Sequence, residues 1–66
     1  MKITVNGEHK EAPKNITIFD YVSSLSFDPE TVVVELDSKI VKREDYQTTQ
    51  LTDDCVLELI RFIGGG

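Results

Sequence analysis

Tryptophan is absent from this 66-residue chain, and cysteine and histidine occur once each. A single cysteine, Cys55, makes no internal disulfide and cannot by itself hold zinc or an iron–sulfur cluster, so no metal site is expected and a reducing compartment fits best. The single histidine, His9, has no serine or cysteine within a few residues to activate and reads as an ordinary surface side chain. Positive charge is scarce too. Seven Lys and Arg stand against 12 Asp and Glu, and the formal net charge of -5 opposes attraction to nucleic acid and to anionic membranes. No apolar run approaches membrane-spanning length, and Met1 to Val5 lacks the apolar stretch of a secretion signal, so the expected location is cytoplasmic. Glycine is nearly missing from the interior, and Gly64 to Gly66 open no helix, which excludes a phosphate-cradling loop. The carboxylates Glu30, Glu35, Asp53, Asp54 and Glu58 show no spacing that selects an acid/base pair. An enzyme acting alone is not expected.

What is present suits one small domain. A chain of this size buries about 60% of its unfolded surface, for a stability on the order of 3 to 10 kcal/mol. Lys2 to Val5 alternates polar and apolar residues and runs into Asn6-Gly7, the dipeptide best suited to a tight hairpin; a short polar arm from Glu8 to Ala12 follows, closed by Pro13. Thr17 can cap a helix whose first turn holds Asp20, and Ile18, Tyr21, Val22 and Leu25 form one apolar stripe. Pro29 disfavours helix at Asp28, so the helix is expected to end at Leu25 or Ser26. Thr31 to Leu36 predicts a strand with Val32, Val34 and Leu36 on one face and Val33, Glu35 and Asp37 on the other. Asp37-Ser38 turns it into a partner, Lys39-Ile40-Val41. Lys42 to Tyr46 reads as a surface turn or single helical turn pinned by Tyr46.

The final strand is expected from Cys55 to Phe62, with Cys55, Leu57 and Leu59 on one face and Val56, Glu58, Ile60 and Phe62 on the other. Either this strand is central and covered twice, or an apolar surface lies open beside the chain end; Phe62 could equally fold back on the core rim. Whether it runs parallel or antiparallel to the first strand is open. A mixed sheet wrapped round one helix is the economical architecture.

Three glycines close the chain. They stabilise no fold, having no side chain to pack and the largest ordering entropy of any residue type. They could be an untidy terminus, or an arm reaching roughly 13 Å to carry the terminal carboxylate into another protein's narrow site. A carboxylate is a poor electrophile at neutral pH, so Gly66 would need activation, usually by adenylyl transfer from ATP, and this chain lacks the equipment for it.

These residues resemble the ThiS family, the small sulfur carriers of thiamin thiazole biosynthesis. The resemblance spans essentially the whole chain. It rests on Ile3-Thr4-Val5-Asn6-Gly7, on Val33-Val34-Glu35-Leu36-Asp37-Ser38-Lys39-Ile40-Val41 with Arg43 and Tyr46, and on Val56-Leu57-Glu58-Leu59-Ile60-Arg61-Phe62-Ile63-Gly64-Gly65-Gly66. It implies an α+β, ubiquitin-like β-grasp fold over residues 1–62, with a flexible tail at 63–66. It also implies a cycle. A ThiF-like adenylating enzyme, similar to ubiquitin-activating enzymes, would use ATP to convert Gly66 to an acyl adenylate; a sulfur donor protein bearing a persulfide would convert that to a thiocarboxylate; a ThiG-like thiazole synthase would take the sulfur. Gly66 would then be the acyl carrier, Gly64 and Gly65 its arm, and the carrier itself would bind no cofactor. Ile60 and Phe62, by their outward period, are the expected partner contacts. In one place the chain departs from the family, which usually has Gly-Asp before the last strand where this sequence has Asp54-Cys55. A sister carrier serving molybdopterin or amino-acid synthesis, a ubiquitin-like protein modifier and a plain interaction domain are the competing functions.

Overall fold

The structure, a computed structural model, describes residues 1–61. Two hairpins frame it. Between β1 (Lys2–Val5) and β2 (Glu8–Glu11), Asn6 and Gly7 take φ of 50° and 82°; between β3 (Val32–Leu36) and β4 (Lys39–Val41), Asp37 and Ser38 take 50° and 71°. Two consecutive positive φ values give the mirror-image turn whose twist matches that of paired strands. Asparagine, aspartate and glycine tolerate that conformation well, which is why these short turns form where they do.

The fifth strand, β5 (Val56–Arg61), inserts between the hairpins, and the sheet order is β2-β1-β5-β3-β4. It pairs antiparallel with β3 and parallel with β1, which settles the direction that alternation alone left open. Only two residue pairs, Thr4 with Val56 and Val5 with Leu57, form the parallel ladder. The hairpin turns extend β5's pairing beyond it. Asn6 Oδ1 accepts the Leu59 N–H at 2.8 Å while its amide donates to the Leu59 carbonyl at 3.4 Å, and Asp37 Oδ1 accepts the Val56 N–H at 2.9 Å. Each first turn residue thus supplies from its side chain a rung that the departing backbone no longer can.

Helix α1 (Ile18–Ser24) is nucleated as its sequence suggests, with the Thr17 hydroxyl accepting the Asp20 N–H at 3.1 Å. At the other end Ser26, at φ 66°, donates its N–H to Ser23 O and Phe27 donates to Val22 O, the paired 5→2 and 6→1 bonds of a Schellman cap. Glycine is the usual residue there; serine holds the left-handed position here. The cap also corrects the expected stripe. Ile18, Tyr21 and Val22 are buried, but Leu25 is 37% exposed, because a seven-residue helix makes less than two turns and Leu25 is already its cap. Phe27, one step past the reversal, packs partly against the core instead.

The core lies between α1 and one face of the sheet: Ile3 and Val5 of β1, Val32 and Val34 of β3, Leu57 and Leu59 of β5, beneath Ile18 and Val22. A short 3₁₀ turn, Pro29–Thr31, leads into β3, and a second, Arg43–Asp45, brings Tyr46 under the sheet edge. The Tyr46 hydroxyl donates to Val32 O at 2.7 Å, so this aromatic is satisfied as well as buried.

The turn before β5, where the resemblance implies glycine and this chain has aspartate, keeps a glycine-like backbone: Asp54 sits at φ 65°, its N–H donating to Lys2 O at 2.7 Å. Left-handed backbone costs a residue bearing a Cβ more than it costs glycine. Asp54→Gly is therefore expected to raise the urea-unfolding free energy by about 0.5–1 kcal/mol. A loss of stability instead would show that the aspartate side chain, and not the backbone, governs this turn.

Candidate functional site

The face of the sheet away from α1 is uncovered, and β5 runs along its middle. Alternation sends Leu57 and Leu59 into the core and Val56, Glu58 and Ile60 outward, as the period predicted. Of the two possibilities for this strand, central and covered twice or open on one side, the structure combines a central place with an open outer face. Ile60 is 48% exposed and lies opposite Val33 of β3; two pairs further, on the same face, Glu58 lies opposite Glu35, and Glu35 in turn opposes Ile40 of β4, which is 72% exposed. An apolar strip of Ile60, Val33 and Ile40 is thus interrupted by two facing carboxylates. Like charges directly opposite oppose strand pairing, and neither carboxylate has a salt-bridge partner among the described residues.

Of the expected site residues, the structure places Ile60 on this open face. Phe62, Gly64, Gly65 and Gly66 lie outside the described residues. Val33 and Ile40, which share Ile60's face, were within reach of the sequence: a two-residue turn at Asp37-Ser38 puts Ile40 opposite Glu35, and alternation puts Val33 beside it.

Other reactive groups are placed away from this strip. Cys55, expected to open the final strand, lies buried just before β5, and burial pushes its thiol above the ordinary 9.0, reinforced by the charges of Asp37 and Asp53 and opposed by backbone hydrogen bonding at Thr52. Tyr21 is likewise raised above 10.0, by burial first. A raised folded-state value means the native protein holds the proton more tightly than the unfolded chain does. The stabilisation is complete below pH 9.0, where both groups are protonated in either state, and is lost as the pH rises through the folded values. Urea midpoints measured from pH 7 upward should stay level and then fall above about pH 9, with a shallower fall in Cys55→Ala. Thiol reagents should label Cys55 at the rate of opening of the fold. His9, on exposed β2, has its Nδ1 3.4 Å from the Thr4 hydroxyl. Among the described residues no group of three His, Cys, Asp or Glu side chains could hold a metal ion, and no helix is long and apolar enough to cross a membrane.

The geometry is that of a small scaffold which carries one strand, Val56–Arg61, through the middle of an open sheet face. Comparison with known proteins gives this arrangement relatives. The ThiS family profile matches residues 3–66. A protein of Bacillus subtilis named sulfur carrier protein ThiS is 32% identical over 65 residues, covering 97% of this chain and 98% of that one. A thiazole synthase of Magnetococcus marinus is 39% identical over all 66 residues, and one of Paramagnetospirillum magneticum 33%; this chain spans only 20% of the length of each. The crystal structure of the thiamine biosynthesis protein ThiS from Geobacter metallireducens superposes with a TM-score of 0.85 at 30% identity, covering 100% of both chains.

Proposed function

The chain belongs to the ThiS family, and from that premise we propose that it is a sulfur carrier for thiamin biosynthesis whose cargo is borne as a thiocarboxylate on Gly66. The observation that supports this most directly is likeness from end to end: the Bacillus subtilis carrier aligns over nearly its whole length, and the Geobacter fold over all of it.

In the proposed cycle the Gly66 carboxylate attacks the α-phosphorus of ATP in an adenylating partner and expels pyrophosphate. The resulting acyl adenylate is attacked by the terminal sulfur of a persulfide on the donor protein, and AMP leaves. A thiol then cleaves the acyl disulfide, releasing the thiocarboxylate and taking up the other sulfur as a disulfide. Gly64 and Gly65 serve by having no Cβ to obstruct a narrow channel. The carrier's contribution is presentation, so it acts as a co-substrate and binds no cofactor of its own. A thiazole synthase is the proposed acceptor; the homology of this chain to a fifth of two such synthases is consistent with carrier and acceptor working side by side.

Ile60 and Phe62 are proposed as partner contacts, with Val33 and Ile40 extending the face on which Ile60 lies. Exposed apolar strips of this kind gain most when a partner removes them from water. Phe62→Ala and Ile60→Ala should each weaken binding of the adenylating enzyme, and Ile60→Ala, at a half-exposed position, should do so with thermal stability nearly unchanged; transfer rates and affinity equal to wild type would remove these residues from the interface.

The deciding experiment is the intact mass of the protein after incubation with ATP, a sulfur source and extract of its own cells, beside a chain lacking Gly66. Replacement of one oxygen by sulfur, confined to the full-length chain, is the expected result. An unchanged mass, or lysine-linked conjugates of higher mass, would overturn sulfur carriage.

A further inference from the structure

Arg61 is the last residue of β5 and the last of the period that points toward α1, behind Leu57 and Leu59. A strand end is where a ladder frays. This end is held on both sides. Its register partner Val32 is fully buried and anchored through its carbonyl by the Tyr46 hydroxyl. Arg61 itself places its guanidinium 4.0 Å from the centroid of the Phe27 ring. That ring is not free to follow a fraying strand, because the Schellman cap ties the Phe27 N–H to Val22 O at 3.3 Å and the side chain packs partly against the core. In a chain with 12 Asp and Glu side chains, Arg61 forms no salt bridge with any described residue and stacks on an aromatic face instead. Both side chains lie at the periphery, so the stack contributes little to the core; what it holds is the last residue of β5.

We propose that Arg61, through its stacking on Phe27, is a positioning residue for the acyl-transfer chemistry: it fixes the exit of the chain end and so sets how readily Gly66 enters the adenylating enzyme. This rests on the sulfur-carrier role. A defined exit removes part of the ordering that binding otherwise requires, which acts on capture of the carrier and not on the chemical step. A cation–π contact at an exposed site is worth about 0.5–1 kcal/mol, corresponding to about two- to fivefold in KM.

The test is carrier-dependent ATP–pyrophosphate exchange by the purified adenylating enzyme of the same cells, using full-length carrier, with Arg61→Gln, Phe27→Leu, the double variant and Arg61→Lys. Each single variant is expected to raise the carrier's KM about two- to fivefold with kcat unchanged, the double variant to be no worse than either single, and Arg61→Lys to recover most of the loss. Amide exchange at Ile60 and Arg61 should quicken in the same variants. Additive effects, or a loss in Arg61→Gln with none in Phe27→Leu, would mean that Arg61 touches the partner directly and would overturn the proposal. Wild-type exchange with unchanged KM in every variant overturns it alone; no exchange with wild type overturns the sulfur-carrier role and this inference with it.

Discussion

Leu57→Ala should leave the protein largely unfolded at 37 °C, while Val56→Ala, one residue away on the same strand, should cost well under 1 kcal/mol. Leu57 is 1% exposed in the central strand, opposite Val5 on one side and Leu36 on the other, and its carbonyl accepts the Asn6 N–H at 2.9 Å. Truncation removes three buried carbons and opens a cavity between strands that are held by backbone pairing and cannot collapse into it, so the cost lies in the range of about 2–5 kcal/mol for such changes. For a domain whose whole stability is on the order of 3 to 10 kcal/mol this is decisive, and the melting temperature should drop by about 10 to 25 °C. Val56 points to the open face and loses only half-solvated surface. Thermal melts of the two variants side by side check the claim. Equal destabilisation would mean that the outer face is covered after all.

Asn6→Ala should destabilise by about 2–3 kcal/mol, unusually much for a turn residue. Two losses combine. Alanine is strained at the φ of 50° that asparagine tolerates, and the part-buried Leu59 N–H, which Asn6 Oδ1 accepts at 2.8 Å, is left without its partner. The variants separate these terms. Asn6→Gly relieves the backbone but not the orphaned amide and should fall between wild type and alanine. Asn6→Asp keeps the acceptor and should be the mildest of the three. Urea titrations that ranked glycine equal to wild type would show the side-chain rung to be worthless and the turn alone to matter.

The same residue shows where reading the chain without its structure stops. The hairpin at Asn6-Gly7, the cap at Thr17, the alternation of β3 and the inward set of β5 were legible, because each depends on side-chain period or on a local backbone preference. Asn6's second task was not, since nothing local says that a turn side chain will meet a strand more than fifty residues away. The parallel pairing of β1 with β5 was hidden for the same reason: direction is a property of the path between strands. The exposure of Leu25 and the docking of Phe27 followed from where the helix stopped. Serine at the left-handed cap gave no glycine to mark that reversal. On the open face, the outward position of Ile60 follows from alternation and that of Ile40 from the two-residue turn at Asp37-Ser38, whereas the placing of Val33 opposite Ile60 needed the register between β3 and β5.

The order of the strands also bears on how the protein is born. A chain emerging from the ribosome makes β1 and β3 early, yet neither can find its central neighbour until residues 56–61 have cleared the exit tunnel. Until then two apolar strands present unpaired edges, an invitation to aggregation. The strand that joins the two hairpins is the last of the described elements to be made, so a chain cut short before residue 56 lacks the strand that closes its sheet. Closure of the sheet and burial of the core beneath the helix thereby become nearly one event, late in the emergence of residues 1–61.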